Sequence, residues 1–195
     1  MTHNRSYYVV NGITLYRLVA APFLIFLIIF QKPDLFKWLL PVSFFTDAID
    51  GFIARRYNAI SVFGSKLDSI ADDLTIVAAI VGAIVFKHGF LGQEISFIIP
   101  LLALYLIQNI LALIRYRKTS SFHTYIAKAA AVLQGIFLIL LFFLPQPLYI
   151  LFYVMTIVTM LDLLEEAILV LILPKWQTDV KGVYWVIKDR SAKKR

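Results

Sequence analysis

Two pairs of aspartates hold the chemistry open to this sequence. The chain reads Thr46-Asp47-Ala48-Ile49-Asp50-Gly51-Phe52-Ile53-Ala54-Arg55-Arg56, then resumes after a short loop as Gly64-Ser65-Lys66-Leu67-Asp68-Ser69-Ile70-Ala71-Asp72-Asp73. Asp47 and Asp50 are three residues apart, and Asp68 and Asp72 are four apart. On helices each pair shares one face. The short connection makes the two helices antiparallel neighbours, so the pairs can enter one pocket. Four carboxylates held together cannot all stay ionised without a countercharge. Two divalent cations would supply it and would suit phosphoryl-group chemistry as a two-metal clamp. Gly51, Ala54 and Gly64 let a ligand approach the backbone, and Arg55 offers a forked donor fitted to phosphate. The spacing alone also admits two other readings. The acids could cap helix ends beside Arg55, Arg56 and Lys66, or form a buried pair on a transport pathway.

The elements that must position these residues are membrane helices. Of 195 residues 61% are hydrophobic, with a mean hydropathy of +0.81, beyond the 45–50% of an average soluble domain. Six apolar runs of spanning length appear, at about 8–30, 35–56, 66–86, 95–115, 126–144 and 148–173. The fold expected is an all-α integral membrane domain over 1–195, with the acidic site between the second and third helices. The first run lacks a strongly basic leader and reads as a retained helix. Of the 19 lysines and arginines, all but Lys32, Lys37 and Lys87 lie toward the termini side. That bias makes both termini, and the acids, cytoplasmic. It also accounts for the net charge of +7 without nucleic acid. In the basic tail 174–195, Trp176, Tyr184 and Trp185 read as interfacial anchors. With no cysteine present, any metal is held by oxygen, which suits Mg, Ca or Mn.

The pattern Asp47-x-x-Asp50-Gly51-x-x-Ala54-Arg55, eight residues, then Gly64-x-x-x-Asp68-x-x-x-Asp72 resembles the signature of the CDP-alcohol phosphotransferases. All eight fixed positions stand at the family spacing. The resemblance implies that Asp47, Asp50 and Asp68 bind metal, two ions of Mg2+ or Mn2+. It implies that Asp72 contacts metal and is the general base for the acceptor hydroxyl. Gly51, Ala54, Arg55 and Gly64 would line the CDP site. It further implies a homodimer in the lipid bilayer, a bacterial inner membrane being the simplest home. The reaction implied is transfer of a phosphatidyl group from CDP-diacylglycerol to a small alcohol, with release of CMP, in phospholipid synthesis. A transporter explains intramembrane acids but not the Asp-Gly-x-x-Ala-Arg spacing.

Other residues bear on the acceptor. Asn11-Gly12-Ile13-Thr14-Leu15-Tyr16-Arg17 is similar to an element preceding the motif in phosphatidylglycerophosphate synthases. Asn11, Thr14 and Arg17 recur every three residues on one helix face, either bordering the substrate or as packing with Arg17 snorkelling. Arg115, Arg117, Lys118, His123 and Lys128 form a basic group suited to a phosphorylated acceptor, or an ordinary positive-inside loop. Arg115 and Lys128 are the candidate pocket residues. Glycerol 3-phosphate is the leading acceptor. Ser69 and Asp73, where those synthases carry Pro and Lys, keep inositol phosphate, inositol and serine open. Asp162, Glu165 and Glu166 fall within the sixth run, as an ion-paired part of the acceptor pocket or as structural partners of Lys128 or Arg17. Gln108, Asn109 and Gln134 read as interhelical hydrogen-bond partners.

Overall fold

The computed structural model describes residues 5–56, 62–118, 122, 124–177 and 180–192. Among the described residues all regular structure is helical, with no strand. The helices are α1 (Arg5–Ile29), α2 (Pro33–Arg56), α3 (Val62–Phe86), α4 (His88–Gln93), α5 (Ile95–Tyr116), α6 (Tyr125–Phe143), α7 (Tyr149–Ile172) and α8 (Val183–Ala192). The six long helices coincide with the six apolar runs, α3 starting a turn earlier than hydropathy suggests. By length and composition α5 and α6 can cross a membrane, and α1 and α3 carry the shorter apolar stretches Leu18–Ile29 and Leu74–Phe86. Two short helices arise where only a break and a tail were expected. Phe90 is buried and anchors α4, and two valines one turn apart anchor α8.

The chain forms two compact units, Met1–Leu91 with Phe142–Pro145, and Gly92–Leu141 with Gln146–Arg195. In the first, α1 packs along both α2 and α3, while α2 and α3 meet over a shorter stretch. The expected α2–α3 pair is therefore a three-helix arrangement in which α1 supplies most of the contact. Each helix offers one buried stripe: Ala21, Leu24 and Ile28 on α1, Phe36, Leu40 and Ser43 on α2, and Ala71, Thr75, Ala78, Ala79 and Ala83 on α3. The α3 stripe is mostly alanine. Between apolar surroundings, helices associate by close packing rather than by escape from water, and small residues permit the approach.

One contact sets the register of α2 against α3. A methyl group at Gly82 would lie 2.5 Å from the tip of the Phe36 ring. Phe36 is fully buried, with Phe86 and Phe142 edge-on at 5.5 and 4.9 Å between ring centres. Phe36 stands near the start of α2 and Gly82 near the end of α3, so the two helices run antiparallel. The outward faces are apolar. Leu15, Val19, Phe23 and Phe26 on α1, and Trp38, Val42, Phe45 and Ile49 on α2, are all exposed.

In the second unit the hydrogen bonds fix direction. At one end the Tyr153 hydroxyl donates to Glu94 (3.2 Å), so the starts of α5 and α7 adjoin. At the other the Tyr116 hydroxyl donates to the Val170 and Leu173 carbonyls (3.0 and 2.8 Å), so their ends adjoin as well. Gln134 of α6 donates to Thr159 of α7 at 3.0 Å, and Phe137 packs on Phe152. As α6 ascends, α7 descends. Helices α5 and α7 are therefore parallel, with α6 returning between them in sequence.

Each acid of α7 accepts a hydrogen bond from another element; Arg17, the other partner expected for them, has its side chain outside the described residues. Glu166 accepts from Gln108 of α5 at 2.7 Å. Asp162 accepts a hydrogen bond from the Thr124 hydroxyl, whose oxygen in turn accepts from the Ala127 N–H at 3.0 Å. Thr124 is thus the N-cap of α6, satisfying one of the helix's open donors. Glu165 accepts from the Val183 N–H at 3.0 Å and does the same for α8. Lys128 does not take the role of their partner: its ammonium lies over the Tyr125 ring at 5.9 Å. Gln108 and Gln134 bond between helices as expected, whereas Asn109 donates to the Tyr105 carbonyl of its own helix (2.9 Å). A threonine directly before an apolar helical run is an N-cap signal, and Thr124 carries it.

The described part of the tail is bonded to the connection between α5 and α6 and packs on the second unit. The Val180 N–H donates to the Phe122 carbonyl at 2.7 Å and the Tyr125 N–H to the Lys181 carbonyl at 3.4 Å. Ala112, Phe122, Leu169, Val170, Leu173 and Val180 form one buried cluster, with Val183 and Val186 of α8 packed against it. Gly182 makes the turn into α8 at φ +147°, and a methyl group there would sit 2.8 Å from Glu165 Oε1. Such backbone costs other residues about 1–3 kcal/mol. Gly182→Ala is accordingly expected to lower the melting temperature by several degrees. An unchanged melting curve in detergent would show that the turn is not needed.

Candidate active site

The motif occupies the last three turns of α2 and the first half of α3. The side chains of Asp47, Asp50, Gly51, Ala54, Arg55, Gly64, Asp68 and Asp72 lie outside what the structure describes, as do those of Asn11, Thr14 and Arg17. Their helical positions are described, and helix periodicity relates them to the buried stripes. On α2 the stripe 36, 40, 43 continues at 47, 50 and 54. On α3 the stripe 71, 75, 78, 79, 82 extends back through 72, 68 and 64. On α1 the stripe 21, 24, 28 extends back to 17, 14 and 11. Positions 35, 38, 42, 45 and 49 of α2 form the opposite, exposed stripe, which contains none of the acids. Position 73 falls in register with the exposed 76, 77 and 80, which separates Asp73 from Asp72.

The Phe36–Gly82 contact then sets the levels. Fourteen residues separate Phe36 from position 50, and fourteen separate position 68 from Gly82. At 1.5 Å per residue both lie about 21 Å from the contact. Positions 47 and 72 stand eleven and ten residues from it, about 15–17 Å away. For ideal antiparallel helices this spacing would put positions 47 and 72, and 50 and 68, at matched levels.

The backbone leading into the motif is loosened. Pro41 lies inside α2 and gives no N–H to the helical ladder. One turn later the Thr46 hydroxyl donates to the carbonyls of Val42 and Ser43, both at 2.9 Å, a pattern that bends helices. On α3 the buried Thr75 hydroxyl donates to the Ala71 carbonyl at 2.8 Å. The Thr46 and Thr75 hydroxyls are thus engaged with backbone. Among the described residues no group of three or more acids or histidines could hold a metal. The fit to a metal rests on the chemistry of the motif's own donor set: four hard carboxylates in a chain without cysteine, which suits Mg2+ or Mn2+.

Arg115 and Lys128 belong to the second unit. Both are exposed. Arg115 Nε donates to the Leu173 carbonyl at 3.3 Å, joining the ends of α5 and α7. Lys118 lies over the Trp176 ring at 4.6 Å. His123 lies outside the described residues.

Comparison with known proteins gives the pattern its context. The family profile of CDP-alcohol phosphatidyltransferases matches residues 7–165. A CDP-diacylglycerol–glycerol-3-phosphate 3-phosphatidyltransferase of Wigglesworthia glossinidia brevipalpis is 32% identical over 81 residues, 40% of this chain and 44% of that one. A CDP-diacylglycerol–inositol 3-phosphatidyltransferase of Saccharomyces cerevisiae is 38% identical over 66 residues, 34% of this chain and 30% of that one. The match therefore spans less than half the length of either relative. No solved structure matches. With the profile running from the start of α1 into α7, across the acidic stretches of α2 and α3, the chain belongs to the CDP-alcohol phosphatidyltransferase family.

Proposed function

We propose that the protein transfers a phosphatidyl group from CDP-diacylglycerol to a small alcohol and releases CMP. The observation that supports this reading is the antiparallel register of α2 on α3 at Phe36 and Gly82, which on ideal helices would level position 47 with 72 and 50 with 68. Asp47, Asp50, Asp68 and Asp72 would hold two Mg2+ or Mn2+ ions, whose charge offsets that of the diphosphate and of the departing CMP. Arg55 would bind a phosphate oxygen through its forked N–H groups, where Gly51, Ala54 and Gly64 leave room for the nucleotide. The Asp72 carboxylate takes the proton of the acceptor hydroxyl. That oxygen attacks the phosphorus bearing diacylglycerol, the bond to the CMP phosphate breaks, and CMP departs with the electron pair. Asn11, Thr14 and Arg17 share the register of the inward stripe of α1 and would border this reaction. Arg115 and Lys128 offer cationic groups suited to an anionic acceptor. Glycerol 3-phosphate is the preferred acceptor, on the first-helix element and the bacterial relative; the inositol-transferring relative supports inositol as the second.

The setting we infer is one catalytic domain of six membrane spans, dimeric, with the acids and both termini on the cytoplasmic side of a bacterial inner membrane. The charge bias supports it further in the folded chain. Of the three basic residues on the opposite side, Lys37 is paired with Asp34 at 2.6 Å. Lys87 donates to the Leu144 carbonyl at 3.2 Å, and burial pushes its ammonium below the usual lysine range. The test is CMP release by purified protein given CDP-diacylglycerol and Mg2+ or Mn2+, with glycerol 3-phosphate, inositol phosphate, inositol or serine added singly. Release requiring metal and glycerol 3-phosphate is expected. Release with inositol alone reassigns the acceptor; none with any alcohol, from folded protein, refutes the reaction.

A further inference from the structure

We propose that the described residues of the strap after α7, Lys175, Trp176, Lys181, Tyr184, Trp185 and Lys188, form a binding surface for anionic lipid headgroups. Its inner side is accounted for: Val180, Val183 and Val186 pack on the buried cluster, and Glu165 takes the first N–H of α8. Its outer side is not that of a water-exposed helix. Tyr184 is 65% exposed, Ile187 51%, Trp185 40% and Trp176 37%. Tyr184, Ile187 and Lys188 recur at three and four residues, so they share the face turned away from the cluster. Lys175, Lys181 and Lys188 are exposed among these aromatics. Trp and Tyr with lysine, outward on a short docked helix, match the chemistry of the headgroup layer, where rings meet the acyl boundary and ammonium groups meet phosphate.

Position selects this occupant over others. The strap leaves α7 at Leu173, where α5 also ends and α6 begins, so it emerges at one end of all three helices. If those helices span a bilayer, as the preceding section infers, the strap lies at the membrane surface without further reach. The charge is complementary to an anionic leaflet, and each lysine near such a surface contributes about 1 kcal/mol, or about fivefold in occupancy. The surface is also linked to the rest of the unit. Lys118 of the α5–α6 connection sits over Trp176, and Tyr125 of α6 lies 5.3 Å from Trp185 between ring centres.

The experiment uses full-length protein carrying Trp38→Phe and Trp176→Phe, which leaves Trp185 as the sole tryptophan. It is reconstituted in vesicles of phosphatidylcholine, alone or mixed with phosphatidylglycerol. Trp185 emission is read with acrylamide in the water and with brominated lipid in the bilayer. The expected result is a blue shift, loss of acrylamide quenching and strong bromine quenching in the anionic vesicles, each weaker in phosphatidylcholine. Lys175→Glu, Lys181→Glu and Lys188→Glu together should abolish the difference. Equal acrylamide quenching in both lipids, or protection that survives the triple substitution, overturns the proposal. So does protection that depends on protein density instead of lipid charge, which would assign the face to a second copy of the chain. Flotation with both vesicle types tests the membrane reading separately, and CMP release is not needed for either readout.

Discussion

Asp68→Asn is expected to abolish turnover while leaving the fold intact. The substitution keeps size and removes charge, so its effect isolates the carboxylate. A metal that neutralises a diphosphate and its leaving group contributes several kcal/mol to the transition state, and about 4 kcal/mol corresponds to about 1,000-fold in rate. Position 68 continues the alanine stripe of α3, where the neighbouring Ala71 and Thr75 are buried, and asparagine is tolerated there as a helical residue. Circular dichroism and melting temperature should match the parent. CMP release near the parental rate would remove Asp68 from the metal site. Because Asp50 stands level with it, Asp50→Asn should behave alike, and the double variant should lose little more than either alone, as groups acting as one unit do.

Gly82→Leu is expected to cost both stability and activity, although it lies about 21 Å from the level of Asp68. The added side chain would enter the space of Phe36, whose ring is held from two other sides by Phe86 and Phe142. Overpacking of this kind costs about 1–3 kcal/mol. Relief comes from separating or sliding α2 and α3, and either motion displaces the two aspartate levels. A displacement near 1 Å at reacting groups costs about 100-fold. Shortening the opposing ring, as Phe36→Ala in the Gly82→Leu background, should return part of the activity. A Gly82→Leu variant with parental melting temperature and CMP release would show that the register is set elsewhere.

Much of this was legible because hydropathy and chemistry repeat at helical spacing. The six long helices follow from apolar runs of spanning length, even where acids interrupt them. The role of α1 was not legible: nothing local in Ala21, Leu24 and Ile28 says that they pack on two helices at once. Phe36 and Gly82 are ordinary in sequence, and their contact depends on residues 46 positions apart. The partners of two α7 acids were no more legible. An acid within an apolar run suggests a cationic partner, whereas Asp162 and Glu165 meet a threonine hydroxyl and a backbone N–H at the starts of α6 and α8. Open helix ends leave no mark in composition. Helix α8 was hidden for a related reason, since its stability comes from two valines and a distant glutamate rather than from its own pattern.

The contact between Phe36 and Gly82 has one more effect. It makes α2 and α3 into a caliper whose arms, on ideal helices, run about 21 Å from the closed end to the positions of Asp50 and Asp68. A bilayer's hydrocarbon core is about 30 Å thick, and differs by a few ångströms between membranes. If the helices span it, a thinner or thicker bilayer moves the water boundary past the aspartates, while their distance from the closed end stays constant. How readily a water-soluble acceptor and a membrane-held nucleotide lipid meet at that level then becomes a property of acyl-chain length.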